Sequence, residues 1–61
     1  MMWVITRPGS DKSNKLYWCV YASGDRWNSR PSHAKVFSSS NEARTRATEL
    51  NLGDFEVEQM K

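Results

Sequence analysis

The chain has 61 residues, a formal net charge of +2, 38% hydrophobic and 11% aromatic residues, which predicts one domain over residues 1–61 that buries only about 60% of its unfolded surface. The hydrophobic content excludes a disordered tail, and the single cysteine, Cys19, excludes an internal disulfide framework and a zinc site built on paired cysteines. The apolar run at residues 1–5 is too short for a signal-peptide core or a membrane span, so we expect a cytoplasmic protein that has no membrane partner.

Two strands are predicted in the first third of the chain. WVIT, residues 3–6, is β-branched and aromatic, and a cluster of Pro, Gly, Ser, Asp and Asn ends it. LYWCVYA, residues 16–22, is rich in strand formers, and its alternation places Trp18 on one side and Tyr17 and Tyr21 on the other. Both sides are largely apolar, which predicts a central strand.

A loop and a third strand are predicted next. Residues 23–32, SGDRWNSRPS, combine turn formers with charge, and the third strand is predicted at AKVF, residues 34–37. Short loops between the three strands favour an antiparallel meander. Trp27 is unusual in such a loop. Gly24 and Asp25 are predicted to form the turn, so we expect Trp27 to begin or flank the third strand, either as a structural residue folded over the end of the sheet or as a contact residue.

The predicted helix follows the third strand. Ser39 and Glu42 have the spacing of a capping box, in which the serine hydroxyl accepts from the amide of residue 42 and the glutamate reaches back to the amide of residue 39. Residues 40–50 contain no Gly or Pro, and Asn51 or Gly53 can end the helix in the left-handed conformation. The apolar stripe is narrow and lets the helix approach the sheet closely; it consists of Ala43, Ala47 and Leu50.

The last predicted strand is DFEVEQM, residues 54–60, in which apolar and acidic residues alternate. The elements together predict an α+β fold of the order β-β-β-α-β: a small four-stranded, mostly antiparallel sheet with one helix packed on one face. A right-handed crossover that brings the last strand beside residues 3–6, parallel to the first strand, is favoured over a position beside the third strand.

No catalytic, metal or cofactor site is recognisable in the sequence. His33 is the only histidine, and no nucleophile or acid stands at a catalytic spacing from it, so we expect it on the surface or the rim. Cys19 lies among aromatic residues in a strand, which favours a packing role over a reactive thiolate. There is no Gly-rich phosphate loop. We therefore expect a non-enzymatic protein without a cofactor.

Charge and aromatic residues indicate a binding role. Residues 1–41 carry an excess charge of +4 and residues 42–61 an excess of −2, so the front of the chain can dock on an acidic partner or on nucleic acid. The sheet face without the helix is expected to carry Tyr17, Cys19 and Tyr21. Such a face can form a protein interface, stack nucleic-acid bases, be closed by a homodimer or remain an ordinary surface. The candidate contact residues are Arg26, Trp27, Arg30, Tyr17, Tyr21 and Lys35.

The layout of the sequence resembles that of many short bacteriophage-encoded proteins of unassigned function. The resemblance is carried by WVI, YW and DRW, followed by AKVFSSSNEARTRATELNLGDFEVEQM, with its serine cap, its Glu-Ala pair and its acidic closing strand. It implies the β-β-β-α-β fold and a small accessory protein, made in an infected bacterium, that binds and modulates a host protein. The alternatives are a nucleic-acid-binding module, which uses the exposed sheet face and the basic loop, and a structural homodimer.

Part of the chain also resembles the arm-type DNA-binding domains of phage integrases. That family inserts its sheet into a DNA groove, and its helix is introduced by a Phe-Ser/Thr-x-x-Glu-Ala motif. This chain departs from the family because its first loop is not especially basic and its last strand is acidic, which would repel phosphate on the binding side. The motif is matched in part by Phe37, Ser38, Ser39, Asn41, Glu42 and Ala43.

Overall fold

The computed structural model describes residues 2–9 and 15–60, which form one four-stranded antiparallel sheet and one α-helix. This is the small α+β fold that the sequence predicts, and residues 10–14 of the predicted first loop lie outside the described residues. No helix in the described ranges is long and apolar enough to cross a membrane. In the sheet the strands follow the order β3-β2-β1-β4. The elements are β1 (Met2–Pro8), β2 (Lys15–Tyr21), β3 (Gly24–Asn28), α1 (Ser40–Glu49) and β4 (Glu56–Met60).

The third strand does not lie where the sequence predicted it. β3 forms inside the predicted loop and pairs antiparallel with β2, so that Trp27 lies opposite Trp18. A turn of only two residues, Ala22 and Ser23, connects the two strands. Gly, Asp and Asn are depleted in strands, so the composition of Gly24–Asn28 did not indicate a strand. The strand forms because it pairs with the largely apolar β2.

The predicted third strand, residues 34–37, is instead an extended segment between β1 and β2. Phe37 exchanges both backbone hydrogen bonds with Trp3, at N···O distances of 2.9 and 2.8 Å, and the Lys35 amide donates to the Trp18 carbonyl at 3.0 Å. β1 and β2 pair directly with each other only where the C-terminal end of β1 lies beside the N-terminal end of β2. The segment therefore fills the gap where the two strands diverge.

β4 lies beside β1, as the sequence favoured, but it runs antiparallel to β1, with Ile5 opposite Val57. The predicted parallel direction was wrong because the chain crosses the sheet once more before β4 than the prediction assumed. β3 and residues 34–37 are two passes where the prediction had one. Since each pass reverses the chain direction, β4 enters the sheet the other way round.

The core lies between α1 and the sheet. Ala43 and Ala47 are fully buried, and they pack with Ile5, Trp18 and Phe37. The rings of Trp18 and Phe37 stack with their centroids 6.2 Å apart. The two alanines confirm the predicted close approach of the helix, because a helix face without long side chains leaves this space to the two aromatic rings.

The start of α1 follows the predicted cap in part. The Ser39 hydroxyl accepts from the Glu42 amide at 3.1 Å, which confirms the serine half of the capping box. The Glu42 carboxylate accepts from the Ser38 hydroxyl at 2.6 Å, where the prediction had the backbone amide of residue 39. The negative charge still lies in the first turn, where the helix dipole favours it.

The end of α1 is a Schellman motif. Asn51 adopts a left-handed φ of 57°, as predicted, and the Leu52 amide donates to the Ala47 carbonyl at 3.2 Å. Leu50, expected in the apolar stripe, is 40% exposed. It is the C-cap residue, where the chain turns away from the helix, and Leu52 packs against the core instead.

Candidate binding surface

The β2–β3 hairpin carries most of the predicted contact residues. The strand register places Tyr17 opposite Asn28 and Tyr21 opposite Gly24, with Arg26 between them on the same face of the sheet. This face points away from α1, because Trp18, on the other side of β2, belongs to the core. Tyr17, Tyr21, Arg26 and Asn28 are called the hairpin surface below. Arg30 is exposed just beyond the end of β3.

The sheet face opposite α1 is less open than the sequence suggested. Val4, Thr6 and Cys19 alternate onto this face and are fully buried, while Tyr17 and Tyr21 are half-buried. The Cys19 thiol donates to the Tyr17 carbonyl at 3.3 Å. Cys19 is therefore a packing residue, as predicted, and the two half-buried tyrosines offer only part of their side chains to a partner.

A hydrogen-bond chain holds Tyr21 in place. The Asn28 side-chain amide donates to the Tyr21 hydroxyl at 3.1 Å, and this hydroxyl lies 3.3 Å from His33 Nδ1. The Arg30 amide donates to the other side-chain atom of Asn28, Oδ1, at 2.8 Å. His33 is exposed in the short 3₁₀ turn Pro31–His33, and the tautomer of its ring decides whether Nδ1 accepts from the tyrosine hydroxyl or donates to it. These hydrogen bonds connect the end of β3 to the turn that follows it.

Trp27 is a structural residue that also borders the candidate surface. It is half-buried and packs against the core, on the α1 side of the sheet. The Arg7 guanidinium lies 4.5 Å from its ring centroid, which is a cation–π contact. On the same side of β3, Asp25 Oδ2 accepts from the Trp18 indole N–H at 2.9 Å. These contacts support the structural interpretation of Trp27.

A groove of about 440 Å³ opens along the hairpin. Two of its lining residues, Ser23 and Asn28, are not among the contact residues predicted from the sequence. Alternation from Arg26 identifies Asn28 once β3 is known to be a strand. Within the described ranges, no carboxylate oxygen lies within 4.0 Å of a guanidinium nitrogen of Arg26 or Arg30. This hairpin groove is lined by Tyr21, Ser23, Arg26, Trp27 and Asn28.

Lys35 lies in a different depression, of about 570 Å³, between α1 and the 34–37 segment. The structure thus does not bring it together with the hairpin groove. Glu42 and Glu49 also line this depression, and Glu49 Oε1 lies 3.8 Å from the Arg46 guanidinium. The walls carry both charge signs and their polar groups bond to one another, so no single ligand charge is favoured there.

The β4 side of the same sheet face is acidic. Glu58 Oε2 accepts from the Thr6 hydroxyl at 2.8 Å, and Glu58 Oε1 lies 2.8 Å from Lys15 Nζ. The bond to Lys15, with that to Thr6, holds the pKa of Glu58 below its ordinary value, and the pKa of Lys15 is raised by the same pair. Glu56 is exposed on the same face. The face is therefore polarised, acidic at β4 and basic at β3.

No three His, Cys, Asp or Glu side chains meet in a metal-binding cluster within residues 2–9 and 15–60. Comparison of the chain with protein-family models, with curated proteins and with solved structures found no match. The hairpin surface and its groove are therefore the basis for a functional assignment.

Proposed function

We propose that this chain is a non-catalytic accessory protein that binds and modulates a bacterial host protein through its β2–β3 hairpin. One observation carries the proposal: the hairpin groove brings together Tyr21, Trp27 and Arg26, and no described carboxylate pairs with the Arg26 guanidinium. Tyr, Trp and Arg are the residues most enriched among interface hot spots. The layout shared with short bacteriophage-encoded proteins favours a host protein as the partner.

The charge pattern of the sheet favours a protein over a nucleic acid. Glu56 and Glu58 lie on the same face as Tyr17 and Arg26, and carboxylates repel the phosphates that dominate nucleic-acid affinity. Tyr21 is half-buried and its hydroxyl is bonded, which leaves little of the ring free to stack a base. Nucleic-acid binding by this face is the alternative function, and the salt dependence of DNA or RNA binding distinguishes it from protein binding.

The non-catalytic part of the proposal is supported by the state of the two most reactive side chains. The Cys19 thiol is fully buried and donates to a backbone carbonyl. The Nδ1 atom of His33 faces the Tyr21 hydroxyl at 3.3 Å. Among residues 2–9 and 15–60, neither group stands beside a nucleophile and an acid arranged as in covalent catalysis.

The first prediction concerns capture of the partner. The chain is immobilised and exposed to a bacterial lysate, and the bound proteins are identified by mass spectrometry. Arg26→Glu is expected to reduce recovery of the partner at least about tenfold, because an arginine hot spot contributes about 2 kcal/mol or more. Arg44→Glu is the matched control: it makes the same charge change at an exposed helix position and is expected to leave recovery unchanged.

Two results would count against the proposal. One is the absence of any protein retained by both the wild-type chain and Arg44→Glu, and the other is a partner recovered equally well by Arg26→Glu. Binding to single-stranded DNA or RNA that weakens steeply with salt would favour the nucleic-acid alternative. Circular dichroism of each variant confirms that it is folded.

A further inference from the structure

We infer that the outer edge of β3 adds an extended peptide of the partner as a fifth strand, and that this peptide alternates acidic and apolar residues. The inference rests on the proposed function and specifies the part of the partner that docks. Three features support it: the pairing of β3, its two rows of side chains and the charge of the opposite edge of the sheet.

β3 is an edge strand with one side unpaired. It bonds to β2 on one side, and it is the end of the order β3-β2-β1-β4, so that no strand of the described residues 2–9 and 15–60 lies on its other side. In an antiparallel ladder the N–H and C=O groups of successive residues point alternately to either side, so part of the backbone of Gly24–Asn28 faces outward. Such a row is a template for an added strand. β3 contains no proline, which would remove a donor from the row.

The side chains of β3 specify what the added strand carries. Arg26 and Asn28 lie on the face away from α1, and Asp25 and Trp27 lie on the α1 face. Cross-strand neighbours on one face have Cβ atoms about 5 Å apart. On the face away from α1, an acidic side chain of the added strand meets the Arg26 guanidinium. On the α1 face, an apolar side chain of the added strand covers the half-buried indole of Trp27. Alternation of acidic and apolar residues satisfies both rows.

On the sheet face away from α1, the two edge strands carry opposite charges, and this favours β3 over β4 as the binding edge for an acidic peptide. β4 is the other edge, and it presents Glu56 and Glu58 on the face where β3 presents Arg26. An acidic peptide is repelled there, since like charges directly opposite one another destabilise a strand pair. On the α1 face of β3, the carboxylate of Asp25 is already bonded to the Trp18 indole.

A second copy of the chain is the competing occupant. The segment Glu56-Val57-Glu58 of β4 has the same alternation, so β4 of one copy resembles the inferred peptide. In the folded chain, however, Val57 packs against the core and Glu58 is bonded to Thr6 and Lys15. Pairing of β3 with β4 of another copy would also be heterologous, and it would produce rings or open filaments. A partner peptide fits the edge without these costs.

The test uses the intact chain, labelled with ¹⁵N, and three peptides of five residues, the length of β3. The probe is acetyl-Glu-Val-Glu-Val-Glu-amide. Its controls are the Lys-Val-Lys-Val-Lys analogue and the acidic peptide N-methylated at both valines, which keeps the charges but removes two donors. The acidic peptide is expected to shift the amide signals of Gly24–Asn28 and to slow hydrogen exchange of the outward-facing amides, whereas the two controls do neither. Arg26→Glu should weaken binding at least about tenfold, and Arg44→Glu by less than twofold.

Each contrary outcome overturns strand addition at β3. These outcomes are no binding of the acidic peptide, equal binding of the N-methylated peptide, and protection that falls on β4. Signals of β3 and β4 that shift together on concentrating the chain alone would show that a second copy occupies the edge. If a host protein is captured and lost with Arg26→Glu while the β3 amides stay unprotected in that complex, strand addition fails and the proposed function stands.

Discussion

Glu58 connects β4 to β1 and to the start of β2 through one carboxylate. Its two oxygens bond separately to the Thr6 hydroxyl and to the Lys15 ammonium, each at 2.8 Å. Thr6 is fully buried, and an unbonded hydroxyl in that position would cost free energy. At the scale of single residues, this carboxylate therefore both satisfies a buried donor and makes stability depend on pH.

We predict that Glu58→Gln removes part of the acid sensitivity of the chain. Because the pKa of Glu58 is lowered by folding, its contribution is fully present above the unfolded pKa of about 4.3 and is lost as the pH falls through the lower folded pKa. The variant is expected to be less stable at pH 7 by at most about 1 kcal/mol, since partly exposed ion pairs contribute little. Thermal unfolding from pH 7 down to pH 2 measures the effect.

The matched control for this prediction is Glu56→Gln, on the same strand and face but exposed. The stability difference between wild type and Glu58→Gln should narrow as the solution is acidified, and that for Glu56→Gln should stay near zero throughout. A Glu58→Gln difference that is constant between pH 7 and pH 2 would show that the Lys15 pair does not act in solution.

The β2–β3 hairpin is the element on which both the fold and the proposed function depend. Its turn residues Ala22 and Ser23 have negative φ, whereas Gly24 adopts φ 127°. Two-residue hairpins usually match the strand twist with positive φ inside the turn. Here the first residue of β3 takes the unusual conformation, and only glycine adopts it without strain.

We predict that Gly24→Ala destabilises the chain by about 1 to 3 kcal/mol, the usual cost of a strained backbone conformation. A Cβ at this position would have no heavy atom within 4 Å, so the cost is conformational and not steric. Urea unfolding followed by tryptophan fluorescence measures it. Gly53→Ala, at φ 80° and equally open, is the comparison and should cost about 1 to 2 kcal/mol, the left-handed penalty. A neutral Gly24→Ala would mean that the turn adopts another conformation.

The whole molecule is held together where the 34–37 segment enters the gap between β1 and β2. Phe37 pairs with Trp3 through the backbone, and its ring stacks on Trp18 beneath α1. One residue thus joins the two halves of the sheet to the helix. A 61-residue chain has a total stability of only about 3 to 9 kcal/mol, at 0.05 to 0.15 kcal/mol per residue, so this contact is a large part of the whole.

We predict that Phe37→Ala removes about 3 to 5 kcal/mol, the usual cost of deleting a buried phenylalanine, and leaves much of the population unfolded without denaturant. The neighbouring Val36→Ala, at a side chain that is 43% exposed, should change stability by no more than about 0.5 kcal/mol. Urea titration and amide dispersion in NMR spectra distinguish the two. Similar losses for both variants would contradict the position of Phe37 in the core.

Features that depend only on residues close together in the chain could be predicted from the sequence. The Ser39 cap, the left-handed Asn51 and the small helix face of Ala43 and Ala47 follow from local backbone chemistry. β2 was recognisable because its apolar run needs no partner to be identified. Tyr21 and Arg26 could be selected from the sequence as candidate contact residues, because aromatic and charged side chains are recognisable in any context.

Tertiary structure alone decided the features that depend on distant residues. Gly24–Asn28 is a strand because β2 offers it a partner, and residues 34–37 are not, because the diverging strands leave room for only a short extended segment. As a result, the chain crosses the sheet once more than predicted, and β4 runs antiparallel to β1. The tertiary structure also separated Lys35 from the hairpin and placed Trp27 between Arg7 and the core. Strand pairing depends on contacts between residues far apart in the chain, so local composition does not specify it.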